Sequence, residues 1–185
     1  MISFLLQVGL ALAIAFLGGV ASLRYVLDTG STVAATKVGA WYSQVVPLGG
    51  SPYSRARTAR DPQLLLGPGE GIAFIADRDS EGRRFDPKCA YVVGGSVPPA
   101  RFWTIRALTD LASASSALHS LELLRDERND FSVIVSRWPA PGNWLRGPDG
   151  DGWRLVLTLY DTSIAAGTGV TDVTLPRIVR TECRD

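Results

Sequence analysis

From Met1 to Leu23 the chain carries no Asp, Glu, Lys or Arg, and only Ser3, Gln7 and Ser22 interrupt the run ISFLLQVGLALAIAFLGGVASL. As a helix this run extends about 33 Å, which matches a bilayer hydrocarbon core of about 30 Å. A helix that is apolar on every face has no obvious place in a small soluble domain. Residues 1–23 therefore read as a single N-terminal transmembrane helix, with residues 2–23 contacting the membrane. The competing reading is a cleaved signal peptide, with Gly19-Val20-Ala21 as a small-residue cleavage site. The absence of a basic segment before the run favours the anchor, since the first cation, Arg24, comes after it.

All side-chain charge falls in the rest of the chain, where 19 Lys and Arg oppose 18 Asp and Glu. A net charge of +1 gives no electrostatic reason to expect nucleic acid as a partner. Residues 24–40 read as a linker, because Leu27–Gly39 is rich in Thr, Ser, Gly and Ala. Residues 41–185 read as one folded domain. Within it, short apolar runs alternate with Gly, Pro and Asp clusters, at Gly71–Ala76, Ala90–Val93, Phe102–Leu108, Phe131–Val135, Trp153–Tyr160 and Pro176–Val179. They are too short for core helices, and several alternate with period two. Tyr53–Leu66 reads as helical in two pieces, and Ala112–Leu124 suits either a helix or a strand. The expected fold is mainly β, an antiparallel β-sandwich with one or two short helices.

Cys89 and Cys183 are the only cysteines, far apart and without a metal-ligand spacing. Two free thiols is one reading. Behind a membrane anchor, a disulfide closing a long loop is the stronger one, and it requires Cα atoms about 4.4–6.8 Å apart.

Several blocks resemble the bacterial domain-of-unknown-function family 1214. They are Pro52–Arg57, Glu70-Gly71, Asp77 with Asp79–Gly82, Pro98–Thr104, Pro141–Leu145 and Leu155–Asp161. The likeness runs from about Trp41 to the C-terminus and is similar to the short, membrane-anchored alphaproteobacterial type, with cysteines placed like these two. The resemblance implies a β-sandwich-like fold and association with a second family of unknown function, 1254. It implies no established activity. One departure is Ile105–Asp110, where a more regular strand is usual. The implied location is the inner membrane, single-pass, with the C-terminal domain in the periplasm. Arg24 and Lys37 pull that flank toward the cytoplasm by the positive-inside rule, while the cysteine pair pulls toward the oxidising side.

Catalysis needs a base, a nucleophile or a metal within reach of one another. His119 is the only histidine, and Ser116 and Ser120 flank it without a nucleophile elbow. Glu70 and Asp161 are the candidate carboxylate pair. Asp77, Asp79 and Glu81, like Asp149 and Asp151, lack an EF-hand pattern and read as turns, so no metal is expected. Gly67-x-Gly69-x-Gly71 lacks the context of a phosphate loop, and no cofactor is expected. Four of the five tryptophans, Trp103, Trp138, Trp144 and Trp153, lie in the C-terminal half. Arg101, Trp103, Asn143 and Trp144 are the candidate polar–aromatic binding surface. The expected function is a non-catalytic module binding a partner protein or a glycan. The alternative is an envelope hydrolase or lyase using His119 or the carboxylate pair.

Overall fold

The computed structural model describes residues 2–28, 35–44, 66–67, 69–109, 116–164 and 173–184. The chain divides into two units, Met1–Val33 with Val46–Asp61, and Ala34–Val45 with Pro62–Asp185. In the first unit the described element is one helix, α1 (Ile2–Asp28). Its stretch Phe4–Tyr25 is long and apolar enough to cross a membrane, and its large apolar side chains are exposed.

The described residues of the second unit form ten strands: β1 (Ala35–Val38), β2 (Trp41–Gln44), β3 (Gly71–Ala76), β4 (Cys89–Gly95), β5 (Phe102–Leu108), β6 (Ala117–His119), β7 (Phe131–Ser136), β8 (Trp144–Arg146), β9 (Arg154–Tyr160) and β10 (Arg177–Cys183). They form a six-stranded sheet, β1-β2-β3-β9-β5-β6, and a four-stranded sheet, β10-β4-β7-β8. Period-two alternation gives each sheet one apolar face. Phe74, Trp103, Ile105, Leu155, Leu157 and Leu159 point inward from the first sheet; Tyr91, Val93, Val133, Val135, Leu145 and Ile178 do so from the second. The two sets close one core. Phe85 stacks on Trp153 with ring centroids 4.4 Å apart, and Trp103 meets Phe131 at 4.7 Å.

Each of the six apolar runs coincides with or overlaps a strand, Pro176–Val179 covering only the start of β10. In the irregular Ile105–Asp110 block, the described start still alternates, with Ile105 and Ala107 buried and Arg106 exposed. Three differences are informative. Within the expected linker 24–40, α1 continues to Asp28 and Ala35–Val38 forms a hairpin with β2. Gly39, at φ 61°, supplies the left-handed residue that this two-residue turn requires. Second, the sandwich is not purely antiparallel, because β7 and β8 run parallel. The connection between them is short, running from Arg137 to Asn143. Third, the ambiguous Ala112–Leu124 segment contributes a strand at Ala117–His119, while residues 110–115 lie outside the described part. The helical reading of Tyr53–Leu66 also lies outside it, except for Leu66.

Cys89 and Cys183 are bonded to each other across a sequence separation of 94 residues. They stand directly opposite on β4 and β10, beyond a register shift that follows Arg180. Their Cα atoms are 3.9 Å apart, closer than the expected 4.4 Å lower limit and closer than the about 4.5 Å of a non-hydrogen-bonded antiparallel pair. Reducing this bond, or replacing both cysteines with alanine, is expected to remove about 4–5 kcal/mol of unfolding free energy in the chain-entropy description. Denaturant melts with and without reductant measure it.

Gly71 opens β3 where β9 passes closest. A Cβ at this position would lie 2.2 Å from the Leu159 carbonyl oxygen, a backbone atom that cannot swing aside. Gly71→Ala is therefore expected to destabilise the domain by about 2–4 kcal/mol through overpacking, read from the same melts.

Candidate functional site

The outward face of the four-stranded sheet holds the most distinctive surface. In β7, Val133 and Val135 point into the core, so Ile134 points out. The register carries this parity across the sheet. Ile134 faces Val92 on β4, Val92 faces Val179 on β10, and Ile134 faces Trp144 on β8. One apolar residue from every strand thus forms a single row, Val179–Val92–Ile134–Trp144. At the usual strand spacing it spans about 15 Å. Val179 is 43% exposed and the other three are half-buried.

Beside Ile134 the row opens into a groove of about 370 Å³, also lined by Leu124, Arg125, Asp130, Pro141 and Asn143. Two strongly exposed leucines, Leu121 and Leu124, lie on the connection that forms its rim. Asn143 shapes the groove. Its side-chain oxygen accepts from Leu124 N at 2.8 Å, and its amide nitrogen donates to Leu124 O at 2.8 Å and Ser132 O at 3.0 Å. Asp126 orders the next turn, accepting from the backbone nitrogens of Arg128 and Asp130. The indole nitrogen of Trp144 donates to the carbonyl and hydroxyl oxygens of Ser136.

Of the four residues expected to share a surface, the structure sets Asn143 and Trp144 side by side here. Trp103 belongs to the core, 2% exposed, against Phe131 and beneath Arg125. Arg101 is exposed at the entrance to β5, where its guanidinium lies 3.8 Å from Asp161. Val92, Ile134 and Val179 drew no attention in the sequence. The alternation of Phe131–Ser136 did mark Ile134 as facing away from its neighbours, but sheet order decides that it has apolar company.

The candidate reactive groups are tied internally. His119 Nε2 lies 2.9 Å from a Glu122 oxygen, and its buried Nδ1 has no hydrogen-bond partner among the described residues. Ser120 Oγ faces Trp103 N at 3.3 Å, and Ser116 Oγ donates to Arg146 O. Glu70 and Asp161 do come together, through a hydrogen bond from Asp161 N to Glu70 O at 3.0 Å. Both side chains are exposed, one accepting from Gly67 N and the other beside Arg101.

Asp79 is buried and accepts from Glu81 N, Arg83 N and Arg83 Nε. Burial alone would raise its carboxyl. The Arg83 guanidinium and the two backbone donors outweigh burial and hold it below the usual carboxylate range. Asp149 lies between Arg137 and Arg146. Among the described residues no group of three or more His, Cys, Asp or Glu is arranged to hold a metal ion.

A family model described as "Protein of unknown function (DUF1214)" matches residues 70–164. That span covers β3 to β9 and the groove, and leaves out β10 and the Pro52–Arg57 block. No curated protein matches the chain significantly. The crystal structure of the VPA0106 protein from Vibrio parahaemolyticus is similar at a TM-score of 0.60 and 18% identity, over 92% of this chain and 44% of that one. An uncharacterised protein from Burkholderia cenocepacia is similar at a TM-score of 0.49 and 16% identity, over 88% of this chain and 40% of that one. The chain thus spans less than half the length of either protein.

Replacing Asn143 with alanine strands three backbone groups that the side chain now serves. The expected cost is about 1–3 kcal/mol, with faster amide exchange at Leu124. Hydrogen–deuterium exchange on the variant checks both the loss and its location.

Proposed function

This chain belongs to the DUF1214 family, whose function is unknown, and from that premise we propose that it is a membrane-tethered, non-catalytic module that binds another protein through the outward face of its four-stranded sheet. The observation that carries the reading is the row Val179–Val92–Ile134–Trp144, one apolar residue from each strand, Val179 exposed and the other three half-buried, running into the groove at Asn143. A contiguous apolar stripe with a polar rim is what a protein partner covers.

A glycan suits this face poorly. Sugar recognition relies on exposed ring faces and spare hydrogen-bonding groups. Here Trp41, Trp103 and Trp153 are buried, and the polar atoms of Asn143 and Trp144 already have partners. A non-catalytic role is supported by His119, Ser116 and Ser120, each engaged within its own fold.

The proposed partner is a protein of unknown-function family 1254. The similar Vibrio protein is more than twice as long as the matched region, so there the same fold is joined to further chain. The proposed location is the inner membrane, with α1 as an uncleaved anchor and the β domain in the periplasm. The apolar helix suits either an anchor or a signal sequence, and the disulfide suits an oxidising compartment.

Co-expression of the full chain with a family-1254 protein from the same genome tests the pairing. The expected result is a complex that survives detergent extraction and size-exclusion chromatography. Ile134→Lys and Val179→Asp should each weaken it at least tenfold, while His119→Ala leaves it intact. A complex of unchanged affinity in both face variants would remove this surface from the interface.

A further inference from the structure

Three of the four sheet edges are short. β1 has four residues, and β6 and β8 have three each. The fourth edge, β10, has seven and, among the described strands, pairs only with β4. A long edge strand is a template for another chain, and folded proteins blunt such edges or cover them.

The outer side of β10 is covered by the turn between β3 and β4. Ser80 N donates to Ile178 O at 2.8 Å, and Ile178 N donates to Ser80 Oγ at 2.9 Å. One serine thereby satisfies both outward backbone groups of Ile178, as a paired strand would. Two residues on, the Arg180 guanidinium donates to Arg84 O at 2.9 Å, tying the far end of the turn to the same strand. The turn is stiff in its own right. Asp79 closes it through Glu81 N, Arg83 N and Arg83 Nε, and Gly82 takes φ 85°.

We propose that the Asp77–Arg84 turn is an edge lock, which occupies the outer side of β10 and keeps a second copy of this chain from adding its own β10 there. A second copy is the occupant that the strand itself favours. The outward backbone groups recur at Ile178 and, by alternation, at Arg180. A two-fold antiparallel pairing that sets Ile178 against Arg180 of the other copy brings Val179 against its own counterpart. This is a self-complementary, β-branched contact of the kind that closed dimers use. It would also join the two apolar rows end to end. The inference stands apart from the heteromeric reading above, since it concerns the backbone edge and not the sheet face.

The test uses the full chain in detergent micelles, with benzoylphenylalanine at Arg177, an exposed position on β10. Photolysis then reports covalent dimer through this strand, whatever α1 does. With the native turn, and with Ser80→Thr, which keeps the hydroxyl, the expected product is monomer. Ser80→Pro removes both the N–H and the hydroxyl and should raise the dimer yield at least tenfold. Ser80→Ala removes only the hydroxyl and should give an intermediate rise. Folding is confirmed by circular dichroism and an intact Cys89–Cys183 bond on a non-reducing gel. Folded Ser80→Pro and Ser80→Ala proteins that cross-link no more than the native turn would overturn the proposal, as would equal dimer in every variant. If Ser80→Pro does not fold, Ser80→Ala alone decides by the same comparison.

Discussion

A strand at the edge of a sheet has half of its backbone groups unserved by the ladder, and in this domain the longest such strand is β10. Much of what distinguishes the four-stranded sheet depends on its staying in place. It contributes Ile178 to the core and Val179 to the outer row. The segment entering it accepts a 2.7 Å hydrogen bond at Pro176 O from the buried Trp41 indole, a tie between the six-stranded sheet and the start of β10. At its far end the disulfide to Cys89 and the hydrogen bond from Arg184 N to Lys88 O hold it against β4. Terminal strands fray when nothing restrains them. Here restraints act at both ends and along the outer side, so the strand that would open most readily is held at several points.

The elements legible in the sequence were those whose signal is local. Short apolar runs between turn residues located β3, β4, β5, β7, β9 and β10, because alternation and Gly or Pro punctuation belong to the strand itself. β1, β2 and β8 were less visible for a physical reason. Each has three or four residues, too few to show a period, and each is a strand only because a neighbour supplies hydrogen bonds. The parallel β7–β8 pair likewise has no local signature. The candidate surface was half legible. Asn143 and Trp144 stood out by residue type, whereas Val92, Ile134 and Val179 acquire meaning only once register aligns them. Trp103 stood out for the same reason as Trp144 and lies on the opposite side of that rule, because its strand position points inward.

Polar residues that invite a chemical reading here mostly organise backbone. Asp79, Asp126 and Asn143 each satisfy two or three nearby main-chain groups, which is what short polar side chains do best in turns. A loop-rich sandwich carries many main-chain groups that no ladder serves, and it must recruit such side chains to serve them. Glu70 and Asp161 show the same economy. They meet through backbone at the ends of β3 and β9, and Asp161 adopts φ 49° there, with its own N–H and C=O both hydrogen-bonded. The Glu70 carboxylate itself accepts from Gly67 N, a structural use, so acidic residues in the sequence overstate the reactive content of the fold.

The size of the proposed surface bears on why such a module would be tethered. A row of four side chains about 15 Å long, with a groove beside it, is smaller than the roughly 800 Å² per partner typical of stable complexes. Free in solution, a face of this extent supports only weak association once lost translational and rotational freedom is counted. A membrane anchor changes that arithmetic. Two proteins held on one membrane no longer search a volume, and the effective concentration between their exposed domains rises to levels at which weak faces are occupied. The same confinement would raise the encounter rate between copies of this chain and so the hazard posed by an uncovered edge strand. An apolar helix, a modest apolar face and a covered β10 edge are thus mutually consistent under the proposed anchoring, since a tether would make a small face sufficient and an open edge costly.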